Sequence, residues 1–175
     1  IGAGFQSVLF ADCRSVEDVQ QCISIVRPET PEDKGIHGVA TRRFSYMGYG
    51  GSPEYIQALN DIVVAIMIEK RSAVEHLDEI LSVEGIDMIQ WGPADYSMSV
   101  GKPRKDPEVT AAERKVFEAA LAKDIPPRAE INSVEEAKYY LDMGVRHFCI
   151  GTDVSILFNW WKTNGDDLRK AISNA

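Results

Sequence analysis

Val63-Val64-Ala65-Ile66-Met67-Ile68-Glu69 and Met88-Ile89-Gln90-Trp91-Gly92-Pro93-Ala94-Asp95-Tyr96-Ser97 decide the fold of this chain. Each is an apolar run that ends in one carboxylate. The first is rich in β-branched residues with no turn residue inside it, which is how a strand buried on both faces reads. The second stops at Gly92-Pro93, which cannot continue a strand. Between them Val74, Leu77, Ile80 and Leu81 fall at helical spacing, and Ser72 with Glu75 three residues on predicts a capping box. The unit is strand–helix–strand, so its strands are expected to be parallel and its crossover right-handed. The carboxylates lie 95 − 69 = 26 positions apart, about one unit, which puts both at strand carboxyl ends on one rim. Neighbouring strands sit about 4.8 Å apart, and two carboxylates at that spacing repel unless protonated or bridged by a cation. Glu69 and Asp95 are therefore candidate ligands of a hard divalent ion, Mg²⁺ or Mn²⁺; the plainer alternative is that they cap the helices that follow.

The same alternation extends in both directions. Ser7-Val8-Leu9-Phe10 reads as a buried strand. Ser15, with Asp18 at the third position, caps a helix whose face is Val16, Val19, Cys22, Ile23 and Val26. Glu54–Asn60 is a short helix leading into the Val63 strand. Asp106 caps a helix with Pro107 at its first position and an apolar face of Val109, Ala112, Val116, Phe117, Ala120 and Leu121. Residues 126–131 make a weak strand. Ser133 with Glu136 predicts a second capping box, for a helix that turns Val134, Ala137, Tyr140 and Leu141 inward and closes at Gly144. His147–Gly151 is the last strand. Thr152 or Asp153 caps a final helix carrying Ile156, Leu157, Trp160 and Trp161, with a further short helix after Gly165.

Strictly alternating strands and helices give a parallel sheet, either doubly wound or closed as a barrel. Gly2-Ala3-Gly4 precedes a strand instead of opening a helix, so it is not a dinucleotide fingerprint. Five strands, near Val8, Val64, Ile89, Ala129 and Phe148, cannot close a barrel. Five of eight fit one of the usual length, about 250 residues. The expected fold is α/β: the carboxyl-terminal part of a (β/α)₈ TIM barrel, one domain over residues 1–175, with roughly the first three strands absent. The chain begins mid-pattern at Ile1, in keeping with that reading.

At 175 residues, 45% hydrophobic and 26% charged, the composition is that of an ordinary globular domain. A net charge of −8 argues against a nucleic-acid partner, and no apolar run approaches a membrane span. Cys13, Cys22 and Cys149 form no metal-type pair and read as buried thiols of a reducing, cytoplasmic protein. Residues 41–53 combine Arg42 and Arg43 with three aromatics and three glycines, either a loop lining a site or one tucked down by its aromatics.

The motifs Ile68-Glu69, Val83-Glu84-Gly85-Ile86-Asp87 and Gly92-Pro93-Ala94-Asp95-Tyr96-Ser97, in this order and spacing, resemble the HpcH/HpaI aldolase family of metal-dependent pyruvate aldolases. Gly35-Ile36-His37-Gly38-Val39 and Ile150-Gly151-Thr152-Asp153 extend the resemblance over nearly the whole chain. It implies that Glu69 and Asp95 hold Mg²⁺, Mn²⁺ or Co²⁺, and that pyruvate chelates this ion while its carboxylate meets main-chain N–H groups in the turn Gly92, Pro93, Ala94, Asp95. The implied reaction is cleavage of a 4-hydroxy-2-oxo acid to pyruvate and an aldehyde through a metal-stabilised enolate, without a Schiff-base lysine. The alternatives are another lyase or decarboxylase acting on a metal-bound 2-oxo acid, and an incomplete barrel that binds metal and pyruvate without turnover. The family's catalytic arginine and histidine–aspartate pair are expected upstream of Ile1, so no catalytic residue is assigned. Lys70 is expected to point away from Glu69 along the strand, and His37, His76 and His147 to be structural. Met67 and Phe10-Ala11-Asp12 depart from the family pattern, and Arg42 or Arg43 could meet a carboxylate on the aldehyde. The resemblance also implies a homo-hexamer, for which Phe158, Trp160 and Trp161 offer an apolar anchor; packing on their own barrel is the alternative.

Overall fold

Ser7–Phe10 (β1), Val63–Ile68 (β2), Met88–Trp91 (β3), Pro127–Ile131 (β4) and His147–Ile150 (β5) form one parallel sheet in the order β1-β2-β3-β4-β5. The computed structural model describes residues 1–39 and 50–174. A doubly wound sheet reverses its strand order at a switch point, and this one does not. Every strand pairs with its neighbour in sequence, which is the order of a barrel wall. The sheet is a five-stranded arc consistent with part of a TIM barrel.

The helices are Val16–Val26 (α1), Pro53–Asn60 (α2), Arg71–Glu75 (α3), Leu77–Ile80 (α4), Pro93–Val100 (α5), Pro107–Ala122 (α6), Ala137–Asp142 (α7) and Asp153–Ser173 (α8). Period-2 alternation sends Val64, Ile66 and Ile68 of β2 toward the helix layer, where they join Val19, Val26, Ile80, Val116 and Phe117 in one core. Each fully buried side chain of this kind contributes about 1.5–3 kcal/mol. The other face of the sheet is different. Register aligns Met67 with Gln90 and Gln90 with Arg128. Gln90, only 1% exposed, accepts from Arg128 Nε at 2.6 Å and donates to Glu130 Oε1 at 2.6 Å. Arg128 thereby fixes which end of the Gln90 amide faces Glu130.

Two caps form as the sequence predicts. Ser15 and Asp18 make a full capping box, and Asp106 accepts from the Glu108 N–H with Pro107 at the first helical position. Two do not. Lys70, not Ser72, is the N-cap of α3, with no side-chain cap bond. β2 ends at Ile68, so the helix begins earlier and Ser72 falls inside it. His76 then interrupts the helix, leaving α3 and α4 in place of one element. Ser133 precedes a 3₁₀ turn, Val134–Glu136, and makes no cap bond to its backbone; the Glu136 carboxylate takes the Asn132 N–H instead, at 2.8 Å. A turn of three residues rotates the apolar positions off a 3.6-residue face. Val134 and Leu141 are accordingly exposed, and Tyr140 of this segment packs on the core.

α8 is also unlike its expectation. Thr152, one of the two expected caps, does cap it, but the helix runs unbroken through Gly165 where the sequence predicts a separate short helix. A helical glycine costs about 1 kcal/mol; a Lys162–Asp166 ion pair spans this one, and Asp166 also pairs with Arg169 one turn on. Phe158, Trp160 and Trp161 lie exposed on α8, with the Trp160 and Trp161 rings edge to face at 4.7 Å. No helix among the described residues is long and apolar enough to cross a membrane. Cys13 is buried, Cys22 and Cys149 half-buried, and all three are free thiols. Burial pushes the Cys13 thiol up to about 12.

Candidate functional site

Asp12, Glu69 and Asp95 follow the carboxyl ends of β1, β2 and β3. They are tied into one network. Asp12 takes a left-handed backbone conformation, φ 61°, which an aspartate tolerates better than most residues. Its N–H donates to Glu69 Oε1 at 2.7 Å. Its carboxylate accepts from Lys70 Nζ at 2.6 Å, and the same ammonium reaches Asp95 Oδ1 at 2.8 Å. Glu69 is 4% exposed and Lys70 8%. Hydrogen bonds donated to Asp12 and then to Asp95 hold the Lys70 ammonium above the ordinary lysine range, while Lys70 holds the Asp12 carboxyl below its usual value.

Lys70 therefore does not turn away from the rim as strand alternation implied. The strand ends at Ile68, so the alternation no longer governs residue 70. Asp12 and Lys70 are the site residues the sequence reading missed. A signal existed: Leu9-Phe10-Ala11-Asp12 is another apolar run ending in a carboxylate on the same rim.

Gly92 makes room for Glu69. A Cβ at Gly92 would lie 2.5 Å from both Glu69 Cβ and Glu69 Oε2, and 3.1 Å from Met67 Sδ. The Gly92 N–H donates to Ile68 O at 3.1 Å, and Pro93 has none. Of the four turn residues, Ala94 and Asp95 thus hold first-turn N–H groups without intrahelical partners, at a helix start that favours anions. Gly92→Ala is expected to displace Glu69, lowering stability by about 1–3 kcal/mol and weakening Mn²⁺ binding at least about tenfold. Thermal denaturation and Mn²⁺ titration measure the two effects; an unchanged Mn²⁺ affinity would show that the crowding does not reach the carboxylate.

Glu69, Gly92, Pro93, Ala94 and Asp95 line one cavity of about 460 Å³, together with Gln90, Arg104, Glu130, Asn132 and Thr152. Both carboxylates predicted from sequence are thus brought to a single space. Glu69 keeps Oε2 and Asp95 keeps Oδ2 free of the bonds above. Two hard oxygen donors, with substrate and water completing the shell, suit Mg²⁺ or Mn²⁺. Among the described residues no group of three or more His, Cys, Asp and Glu could hold a metal.

None of the three histidines lines this cavity. His37 Nδ1 lies 3.1 Å from Ile25 O, His76 sits exposed between α3 and α4, and His147 begins β5 at the opposite end of the sheet. Arg42 and Arg43 lie outside the described residues. A larger cavity, about 570 Å³, lies between α1 and the α4–β3 connection. Its one guanidinium, Arg27, is committed to carbonyl groups and Asp87.

A family model described as HpcH/HpaI aldolase/citrate lyase matches residues 1–159. A 4-hydroxy-2-oxo-heptane-1,7-dioate aldolase of Escherichia coli is 29% identical over 160 residues, covering 90% of this chain and 60% of that protein. A 5-keto-4-deoxy-D-glucarate aldolase of Enterobacter sp. (strain 638) is 28% identical over 170 residues, covering 95% and 65%. The chain thus spans under two thirds of the length of these relatives. A crystal structure of an HpcH/HpaI aldolase/citrate lyase family protein from Burkholderia cenocepacia J2315 superposes with a TM-score of 0.82 at 24% identity, covering 96% of this chain and 66% of that one. That likeness shows the fold.

Proposed function

The chain belongs to the HpcH/HpaI aldolase/citrate lyase family, and from that premise we propose that it is the metal-binding part of a class II aldolase. The reaction is cleavage of a 4-hydroxy-2-oxo acid to pyruvate and an aldehyde, or its reverse. The observation that carries this reading is the meeting of Glu69 and Asp95 in one cavity, at the carboxyl ends of adjacent parallel strands, with Gly92 opening space for the Glu69 carboxylate. The names of the two aldolase relatives support the reaction class.

Glu69 Oε2 and Asp95 Oδ2 are the atoms that would hold Mg²⁺, Mn²⁺ or Co²⁺. Such an ion supplies Lewis-acid stabilisation of the negative charge that develops on a keto oxygen beside it. The chain's own groups do the rest of the local work. The Ala94 and Asp95 N–H groups at the start of α5 receive the substrate carboxylate, aided by the helix dipole. Gln90, buried and held by Arg128, fixes the Glu130 carboxylate on the far side of the cavity. Lys70 is engaged by two carboxylates, which leaves no free amine there for a Schiff base. A homo-hexamer joined partly through the exposed aromatics of α8 completes the proposal.

The test is release of pyruvate from 4-hydroxy-2-oxoheptanedioate with Mn²⁺ or Mg²⁺, then with EDTA. The expected result is release that EDTA abolishes and Mn²⁺ restores. Decarboxylation of oxaloacetate without cleavage of the hydroxy-oxo acid would move the assignment to a decarboxylase. Release insensitive to EDTA would overturn the metal reading.

A further inference from the structure

We propose that Lys70 and Asp12 form a charge clamp that sets the site's affinity for its divalent cation, with Lys70 weakening it and Asp12 restoring it. The inference rests on the reading of Glu69 and Asp95 as cation ligands and deepens it.

The clamp begins with one ammonium shared by two carboxylates. Lys70 Nζ is 2.6 Å from Asp12 Oδ1 and 2.8 Å from Asp95 Oδ1. Its side chain is 10% exposed, against 66% for Asp12 and 42% for Asp95, so its charge is the one least screened by water. A cation on Asp95 Oδ2 would share that carboxylate with the ammonium. Two positive groups on opposite oxygens of one carboxylate stand about 4–6 Å apart, where their repulsion is appreciable at protein dielectric. Lys70 thus opposes the metal.

Asp12 counters this in two ways. Its carboxylate draws the ammonium partly off Asp95, and its N–H orients Glu69 through Oε1, leaving Oε2 toward Gly92. The second action belongs to the backbone and survives substitution of the side chain. The first does not. Asp95 does not need Lys70 for its placement, because it occupies the first turn of α5 behind Gly92-Pro93. Lys70 and Asp12 are positioning residues in this sense; neither is assigned a contact with substrate.

The experiment is calorimetric titration of the protein with Mn²⁺ alone, with Mn²⁺ electron paramagnetic resonance as a second measure of free ion. Lys70→Met is expected to bind Mn²⁺ at least about tenfold more tightly than wild type, and Asp12→Asn about tenfold more weakly, from the Coulomb terms involved. Lys70→Arg keeps the charge and should stay near wild type. The double variant Asp12→Asn/Lys70→Met should resemble Lys70→Met, since Asp12 acts through the ammonium. A merely structural pair would lower affinity or stability in both single variants. Thermal denaturation without metal confirms that each variant is folded; a Lys70→Met that does not fold is replaced by Lys70→Gln, which keeps a polar end for Asp12. Wild-type binding with Lys70→Met (or its substitute) equal or weaker overturns the clamp alone. Wild-type protein that binds no Mn²⁺ overturns the cation reading and the clamp with it.

Discussion

Glu69→Gln is expected to lower metal-dependent pyruvate release by at least about 10³-fold, the scale of losing a group that stabilises developing charge in a closed site. The substitution preserves shape. Glutamine fills the same volume, which matters for a side chain that is 4% exposed and wedged against Gly92. Its amide oxygen can still accept the Asp12 N–H that now meets Oε1 at 2.7 Å. What is lost is one of two negative charges that could face a cation, and the other oxygen becomes an amide nitrogen that cannot coordinate one. Thermal stability should therefore change little while Mn²⁺ binding and turnover collapse together. Turnover that persists and still responds to EDTA would place the metal elsewhere in the protein.

Arg27→Met should act in the opposite sense, removing stability and sparing the site. Arg27 follows α1 and its side chain is 13% exposed. Nη1 donates to Ile62 O at 2.8 Å and Asn60 O at 3.1 Å, with a longer approach to Leu59 O at 3.4 Å. Nη2 reaches Asp87 Oδ2 at 3.1 Å and Gly85 O at 3.4 Å. Asp87 in turn accepts the Val64 N–H at 2.8 Å. One guanidinium thus ties the entry of β2 to the entry of β3, at the end of the sheet away from Glu69. Methionine replaces only its aliphatic stem and leaves these carbonyls and the Asp87 carboxylate without their cation, a loss of about 2–4 kcal/mol. Urea denaturation measures it. Arg27→Lys should recover only part, because an ammonium cannot reproduce the planar fork. A loss under about 0.5 kcal/mol, the range of an ordinary surface substitution, would mean that water replaces the guanidinium at little cost.

These two substitutions divide the molecule as the sequence does. The apolar runs that build β2 and β3 are legible because periodicity and turn residues are local signals. Val63–Ile68 and Met88–Trp91 form as strands inside the two predicted runs. Glu69 and Asp95 stand out because each ends such a run, and their return to one cavity follows from parallel pairing. Caps whose partner is three residues away, Ser15 with Asp18, were equally readable. The caps at Ser72 and Ser133 were not, because the exact end of a strand and the choice of a 3₁₀ turn depend on surroundings.

Arg27 and Lys70 mark the limit more sharply. Arg27 looks like any arginine at the end of an amphipathic helix, yet its partners lie 32 to 60 positions away. Lys70 follows a strand whose alternation assigned it to the wrong side.

By itself the sequence determined the alternating α/β pattern, the sequential parallel strands and the two carboxylates at their carboxyl ends, since these depend on residue type and short spacing. Only the tertiary structure decided that Asp12 and Lys70 join those carboxylates, that Gly92 must lack a side chain, and that the Gln90 amide faces Glu130. Such contacts join residues far apart along the chain, and their geometry is set by strand register and backbone closure, which no local pattern encodes.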